Sequence, residues 1–238
     1  MKKKRILIPL VLLVLLVLAF LLYTGIYYRA DGEALAALAS DESVRVEQTD
    51  YGWFFDGPSA DTALIFYPGG KVEETAYARF LHRLASEGVD VFLLRAPFRL
   101  AFFVQNEAGE LMSRYGYERW YLGGHSLGGA VAALYASGHG EGLDGLILCA
   151  AYPTRPLDAH LTEILLLGSE DGVVNRGRVE EGRSYAPPAY VEAIIEGGNH
   201  AQFGDYGPQR GDGTARIGAE EQQAEAVRVI TETLFPEK

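Results

Sequence analysis

Apolar residues along this chain fall into three kinds of run. The first, residues 6–28, carries no charge and is mostly Leu, Val and Ile. As a helix it would be about 34 Å long, enough to cross a bilayer. Pro9 stands near its start, where a helix tolerates proline. Tyr23, Tyr27 and Tyr28 stand at its far end, as an interfacial aromatic belt would. A cleaved signal peptide is the alternative, but its apolar core would be only about 7–15 residues long and would end in a small-x-small site. The segment around Thr24-Gly25-Ile26 offers no good site of that kind, so an uncleaved anchor over 1–29 is the expectation.

The second kind of run is short and bounded by turn residues. Residues 62–67, 89–94, 145–150, 164–167 and 190–195, with the stretch entering Gly123, read as buried strands. Two earlier segments, 44–48 and 51–55, read as an antiparallel hairpin closed off by Asp56-Gly57-Pro58. The third kind has helical spacing: 73–86, with Tyr77, Phe80, Leu81 and Leu84 on one face, then 110–117, 130–136 and 220–234. Residues 30–43 read as a short helix or juxtamembrane spacer. Strands alternating with helices over 44–238 predict an α/β domain: a mostly parallel sheet covered on both faces. No internal repeat, low-complexity tract or second-domain linker interrupts it.

Between the strand at 120–123 and the Ala-rich helix at 130–136 stands Gly124-His125-Ser126-Leu127-Gly128-Gly129. The pattern Gly-x-Ser-x-Gly between strand and helix predicts a sharp elbow that presents the serine hydroxyl to a cleft. Side chains at Gly124 and Gly128 would crowd such a turn. The helix that follows would aim its N-terminal amides at charge developing beside Ser126. A serine nucleophile needs a base, and the base needs a group to orient it. In this architecture the partners follow in the order Ser, Asp/Glu, His. Asp171, just past the 164–167 strand, is the candidate acid, with its neighbour Glu170 as the alternative. His200, in a glycine-rich loop after the next strand, is the sole histidine beyond Asp171. His82, His139 and His160 have blander settings on a helix face, at a helix end and in a polar loop, and His125 is expected to pack inside the elbow. For an oxyanion the Leu127 amide is one expected donor. The second should come from Pro68-Gly69-Gly70-Lys71, as Gly70 or Lys71.

Charge and composition narrow the setting. Residues 1–30 hold five basic residues and no acid, and the remainder holds 16 basic against 32 acidic residues. The basic cluster Lys2, Lys3, Lys4 and Arg5 is expected to stay cytoplasmic and to place the domain outside. So acidic a domain, with no basic stripe, is expected to repel nucleic acid and anionic lipid headgroups, which excludes nucleic acid as a partner. The single cysteine, Cys149, allows no internal disulfide, and in its apolar run it reads as a buried hydrophobe. No metal-ligand cluster is visible, and the proposed chemistry needs neither metal nor organic cofactor.

With these motifs in view the chain resembles the α/β-hydrolase superfamily over all of residues 44–238. Gly-His-Ser-Leu-Gly-Gly at 124–129, Gly-Ser-Glu-Asp-Gly at 168–172 and Gly-Gly-Asn-His at 197–200 match its three catalytic motifs. The segment 199–209, with Gly211-Asp212-Gly213 after it, is similar to bacterial membrane-anchored serine hydrolases near the dienelactone-hydrolase and carboxylesterase branch. Two departures stand out: Pro68 where many esterases carry histidine, and a serine rather than a cysteine nucleophile, which argues against dienelactone hydrolysis itself. The resemblance implies hydrolysis of small esters through an acyl-enzyme. The same triad would serve an amidase, a peptidase or an acyltransferase acting on an envelope component, and a non-catalytic tethered binding protein is the reading from another class. The link 151–163 is too short for a cap domain. The site is therefore expected to be open, bordered by Tyr152 and by Phe102 and Phe103, which either wall an acyl pocket or pack beneath the next helix.

Overall fold

The computed structural model describes residues 2–58 and 61–236, with side chains of the first helix described from Pro9 onward. Eight strands form one sheet: β1 (Arg45–Gln48), β2 (Gly52–Asp56), β3 (Thr62–Tyr67), β4 (Asp90–Leu94), β5 (Arg119–His125), β6 (Gly145–Cys149), β7 (Thr162–Gly168) and β8 (Ala189–Ile195). Their spatial order is β1-β2-β4-β3-β5-β6-β7-β8. β1 and β2 pair antiparallel, as does β2 with β4, and every later pairing is parallel.

Strand periodicity explains why the central runs are apolar throughout. In β3, Leu64 and Phe66 face one core while Ala63, Ile65 and Tyr67 face the other. Both faces are covered, so no position on this strand is polar except Thr62, and all six residues are buried. Each large side chain among them stabilises the fold by roughly 1.5–3 kcal/mol. Helices α3 (Ala78–Ser86) and α7 (Ala219–Leu234) cover the first face, through Phe80, Leu81, Leu84, Ala226 and Ile230. Helices α4 (Glu107–Arg114), α5 (Leu127–Ala136) and α6 (Arg176–Arg183) cover the second, through Ala108, Leu111, Val131, Ala132 and Val179.

Parallel strands put their carboxyl ends on one edge of the sheet, and this edge carries the site. Tyr67 lies opposite Gly124, His125 opposite Cys149, and Gly168 opposite Ile195. The loops that follow β3, β5, β7 and β8 therefore converge. The connection 150–161 between β6 and β7 contains no helix.

Three features differ from expectation, and a fourth refines it. The 73–86 segment is not one helix: a 3-10 turn, Glu74–Tyr77, precedes α3 and turns Tyr77 under the edge of the sheet. Helix α6 was not foreseen, because Arg-Gly-Arg-Val-Glu-Glu-Gly-Arg buries only Val179 and Gly182 and has no apolar period. Within 30–43, the first of the two expected alternatives holds for part of the segment, since α2 (Gly32–Ala36) is a short helix, and it is docked on the domain, capped by Asp31 and burying Ala34. The third difference concerns the N-terminal run. Helix α1 (Lys2–Gly25) has 24 residues, about 36 Å. It ends at Gly25 instead of continuing to Tyr28, and Pro9 lies inside it rather than in its first turn. Tyr28 pairs with Val72 in an isolated bridge, which ties the end of the run to the domain. Among the described residues, no helix is long and apolar enough to cross a membrane. The basic cluster at Lys2 to Arg5 lies outside the residues with described side chains.

Candidate active site

Ser126 joins β5 to α5 with φ 53° and ψ −119°. A non-glycine residue held there costs roughly 1–3 kcal/mol, so the surroundings must enforce it. They do so by contact. The Ser126 amide donates to Cys149 O at 2.9 Å. A Cβ on Gly124 would lie 2.6 Å from Tyr67 O, and one on Gly128 2.1 Å from the same oxygen. Only glycines let the first turn of α5 press against the end of β3.

Past β7, Asp171 accepts three hydrogen bonds with a clear division. Oδ1 takes the amides of Val173 and Val174, each at 2.8 Å, and Oδ2 meets His200 Nδ1 at 2.8 Å. Burial pushes the Asp171 carboxyl up, but the His200 hydrogen bond and charge, with the two amides, outweigh it and leave it below the usual 3.8. Both side chains are almost wholly buried. The His200 backbone is fixed in turn by Asp212, whose Oδ1 accepts the His200 amide and whose Oδ2 accepts that of Ala201. His200 Nε2 is buried and has no hydrogen-bond partner among the described residues. His200 and Ser126 line one cleft of about 300 Å³ together with Leu127, Ala130, Ala150, Ala151, Tyr152, Val173 and Val174. Catalytic hydrogen bonds are often loose before substrate binds, so Nε2 is free to engage a hydroxyl in this cleft.

The alternative acid, Glu170, does not meet His200. Its Oε1 accepts from Ser169 and from Arg216 instead. In the loop after β3, the Lys71 amide is committed to Arg99 O at 2.8 Å and the Gly69 amide to Tyr77 Oη at 3.0 Å. The Gly70 amide has no such partner among the described residues, and a Cβ on Gly70 would lie 2.8 Å from the Leu127 side chain. Gly70 and the first turn of α5 are thus neighbours.

Tyr77 and His125 complete the support, and sequence reasoning placed both in simple packing roles. Tyr77 Oη accepts the Gly69 amide and so turns its own proton to His125 Nδ1, 2.8 Å away. That leaves His125 with its proton on Nε2, its ring 4.5 Å from that of His200. Burial, and then the charge of His200, hold His125 well below the usual 6.5, so it stays neutral. The signal for this was the phenol of Tyr77 on an otherwise apolar face, since a buried hydroxyl needs a partner. Of the expected lining residues, Tyr152 borders the cleft, whereas Phe102 and Phe103 lie outside its lining and are 56% exposed. The other expectations fall on ordinary settings. Cys149 is buried, which pushes its thiol up, His139 stacks on Tyr135, and His160 Nε2 lies 3.3 Å from Gly140 O. Among the described residues no group of His, Cys, Asp or Glu could hold a metal ion.

A serine on an elbow, an Asp–His pair on the next loops and an open amide beside them, all at one edge of a largely parallel sheet, define a hydrolase site. The alpha/beta hydrolase family profile matches residues 63–224, and the chain belongs to that family. No curated protein is a significant match in sequence. Solved structures share the fold at low identity. A dienelactone hydrolase from Anabaena variabilis is 12% identical, with a TM-score of 0.62 over 82% of this chain and 99% of its own. TT1662 from Thermus thermophilus is 16% identical, with a TM-score of 0.58 over 81% and 98%. Carboxylesterase CesB from Bacillus subtilis is 12% identical, with a TM-score of 0.53 over 93% and 99%.

Proposed function

We propose that this hydrolase is a serine carboxylesterase that cleaves small esters through an acyl-enzyme. The observation that carries the reading is the Asp171–His200 pair, 2.8 Å apart and buried, opening onto the same cleft as Ser126. In the first half-reaction Ser126 Oγ attacks the ester carbonyl while His200 Nε2 takes its proton. The C–O bond to the alcohol then breaks, and His200 returns the proton to the departing oxygen. Water repeats the sequence on the acyl-enzyme and releases the acid. Asp171 holds the imidazole with its proton on Nδ1 and stabilises the imidazolium. The amides of Leu127 and Gly70 receive the oxyanion. The cleft wall of Ala130, Ala150, Ala151 and Tyr152 suits a short acyl group. The fold shared with a dienelactone hydrolase and a carboxylesterase supports ester chemistry of this branch.

The apolar, uncharged run from residue 6 to α1's end, flanked by Lys2 to Arg5, supports a membrane anchor with the catalytic domain outside the cytoplasm. Protease shaving of intact cells tests that placement. A domain that is protected, or found free in the cytoplasm, would end it. For the chemistry, the full chain should be labelled by a fluorophosphonate and should hydrolyse p-nitrophenyl acetate, and Ser126→Ala should abolish both. Losing such a nucleophile costs about 10⁴- to 10⁶-fold in kcat. A Ser126→Ala protein that kept a tenth of the wild-type rate would refute the mechanism.

A further inference from the structure

The end of α1 does not hang free of the domain. Phe20 sets its ring edge-on to Phe98, with centroids 5.0 Å apart, and Phe98 packs edge-on to Phe103 at 5.6 Å. Lys71 Nζ lies 4.0 Å over the Tyr23 ring, while Arg99 and Arg29 lie 3.4 and 5.3 Å over that of Tyr27. Backbone bonds secure the junction: the Tyr28 amide donates to Lys71 O and the Glu73 amide to Tyr28 O, both at 2.8 Å. On the other side the Tyr28 ring packs on Tyr206, and Tyr28 Oη accepts the Arg210 amide at 3.1 Å. The chain leaving α1 is therefore stitched to the two loops that carry Gly70 and His200. The helix rises from the catalytic edge of the sheet, not from its far side.

Around this junction the surface is unlike the rest of the domain. Phe98, Phe102 and Phe103 are 42%, 56% and 56% exposed, and they continue the exposed apolar side chains of α1 from Leu10 to Leu22. Three cations, Arg29, Lys71 and Arg99, gather beside them in a chain of net charge −11. The nearby Glu73 is turned inward to accept the Ala30 amide. The backbone is held against its preference to make this face. Lys71, Phe98 and Arg99 all have left-handed φ values, 61°, 56° and 57°. Such conformations are disfavoured for side-chain-bearing residues and persist only where the surrounding contacts enforce them.

We propose that the headgroup layer of an anionic bilayer covers this face, with Phe98, Phe102 and Phe103 dipping into it, and that the site takes its ester from that bilayer. This rests on the serine-esterase and anchor readings above and adds the substrate class: a short acyl group carried on an alcohol whose apolar part stays in the membrane. Apolar and cationic groups side by side match acyl chains and phosphates respectively. Tethering raises the effective concentration of membrane-borne ester at the cleft. The small cleft accounts for the short acyl group, and the junction accounts for the anchored alcohol.

The test uses the full chain in vesicles of phosphatidylcholine and phosphatidylglycerol. Hexadecyl acetate in the vesicles and p-nitrophenyl acetate in the water are the two substrates, and acetate release is measured for both. Phe98→Asp should lower the ratio of embedded to soluble turnover at least tenfold. Separately, the added emission of Phe102→Trp over the native tryptophans should be quenched by brominated lipid chains. An unchanged ratio together with unquenched emission, in protein that floats with the vesicles and cleaves the soluble ester, overturns the docking face alone. Protein that does not float overturns the anchor and the docking face with it. Protein inert on both esters overturns the esterase reading itself.

Discussion

Replacing Asp171 by Asn separates the role of its charge from the role of its shape. Oδ1 of Asp171 is already committed to two backbone donors, Val173 and Val174, each at 2.8 Å. An asparagine must keep its carbonyl oxygen there, since its NH₂ group facing two N–H donors would leave both unpaired. The NH₂ then takes the place of Oδ2, 2.8 Å from His200 Nδ1. A donor facing Nδ1 forces that nitrogen to accept and moves the imidazole proton to Nε2. The nitrogen that should take the serine proton then already carries one. The same exchange in a known serine-protease triad lowers kcat about 10⁴-fold, and 10³- to 10⁴-fold is the expectation here, or about 4–5.5 kcal/mol of transition-state stabilisation. The fold should survive, because both Val amides keep their acceptor. Asp171→Ala leaves those two part-buried donors without their acceptor, at most roughly 1–3 kcal/mol each and less where water reaches them, so its melting temperature should fall while that of the Asn variant stays close to wild type. Hydrolysis of p-nitrophenyl acetate and thermal unfolding, measured on both variants and on Glu170→Gln, decide the matter. An Asn variant retaining a tenth of the wild-type kcat would refute the tautomer argument. A Glu170→Gln variant as damaged as Asp171→Asn would refute the choice of acid.

Tyr77→Phe strands His125 Nδ1 and the Gly69 amide together, so unfolding should become easier by roughly 2–4 kcal/mol in chemical denaturation. Its kcat should fall more than its KM changes, because the loop carrying Gly70 loses its brace. Glu163 is buried without a hydrogen-bond partner among the described residues, and burial, with the charge of Glu192, pushes its carboxyl from the usual 4.5 up to about 7. The folded state therefore holds a proton that the unfolded chain releases, and stability should fall as pH rises from about 4.5 to 7 and then level off. Glu163→Gln should remove that fall, which thermal unfolding at pH 5 and pH 8 measures. Asp171 has the opposite sign: its stabilising pair should persist down to pH 3.8 and weaken only below it. With no helix in the 150–161 connection to act as a lid, the rate on a soluble ester should show no jump as substrate crosses its solubility limit, and a sharp jump would reveal one.

The limits of the sequence reading follow from which forces leave a periodic trace. The bounds of β3 were legible to the residue because both faces of a central strand are buried, which makes its sequence a continuous apolar run ended by Pro68 and Gly69. The Ser-Asp-His set was legible because each member stands in a glycine-containing loop just past such a strand, and parallel strands bring those loops to one edge. What escaped was decided by single polar contacts between segments far apart in the chain. The Lys71 amide is excluded as an oxyanion donor by Arg99 O, and nothing within four residues of Lys71 announces that partner. Tyr77 looked like one more apolar residue of its helix until its hydroxyl was seen between Gly69 and His125. The end of α1 illustrates the same point in reverse. Tyr27 and Tyr28 suit a membrane interface by composition, yet Tyr28 pairs with the strand-like Val72 and Tyr27 lies under Arg99, because a neighbouring loop offers those partners. Apolar patterning thus locates the layers and the catalytic edge, and long-range polar pairing decides which groups at that edge are left free to do chemistry.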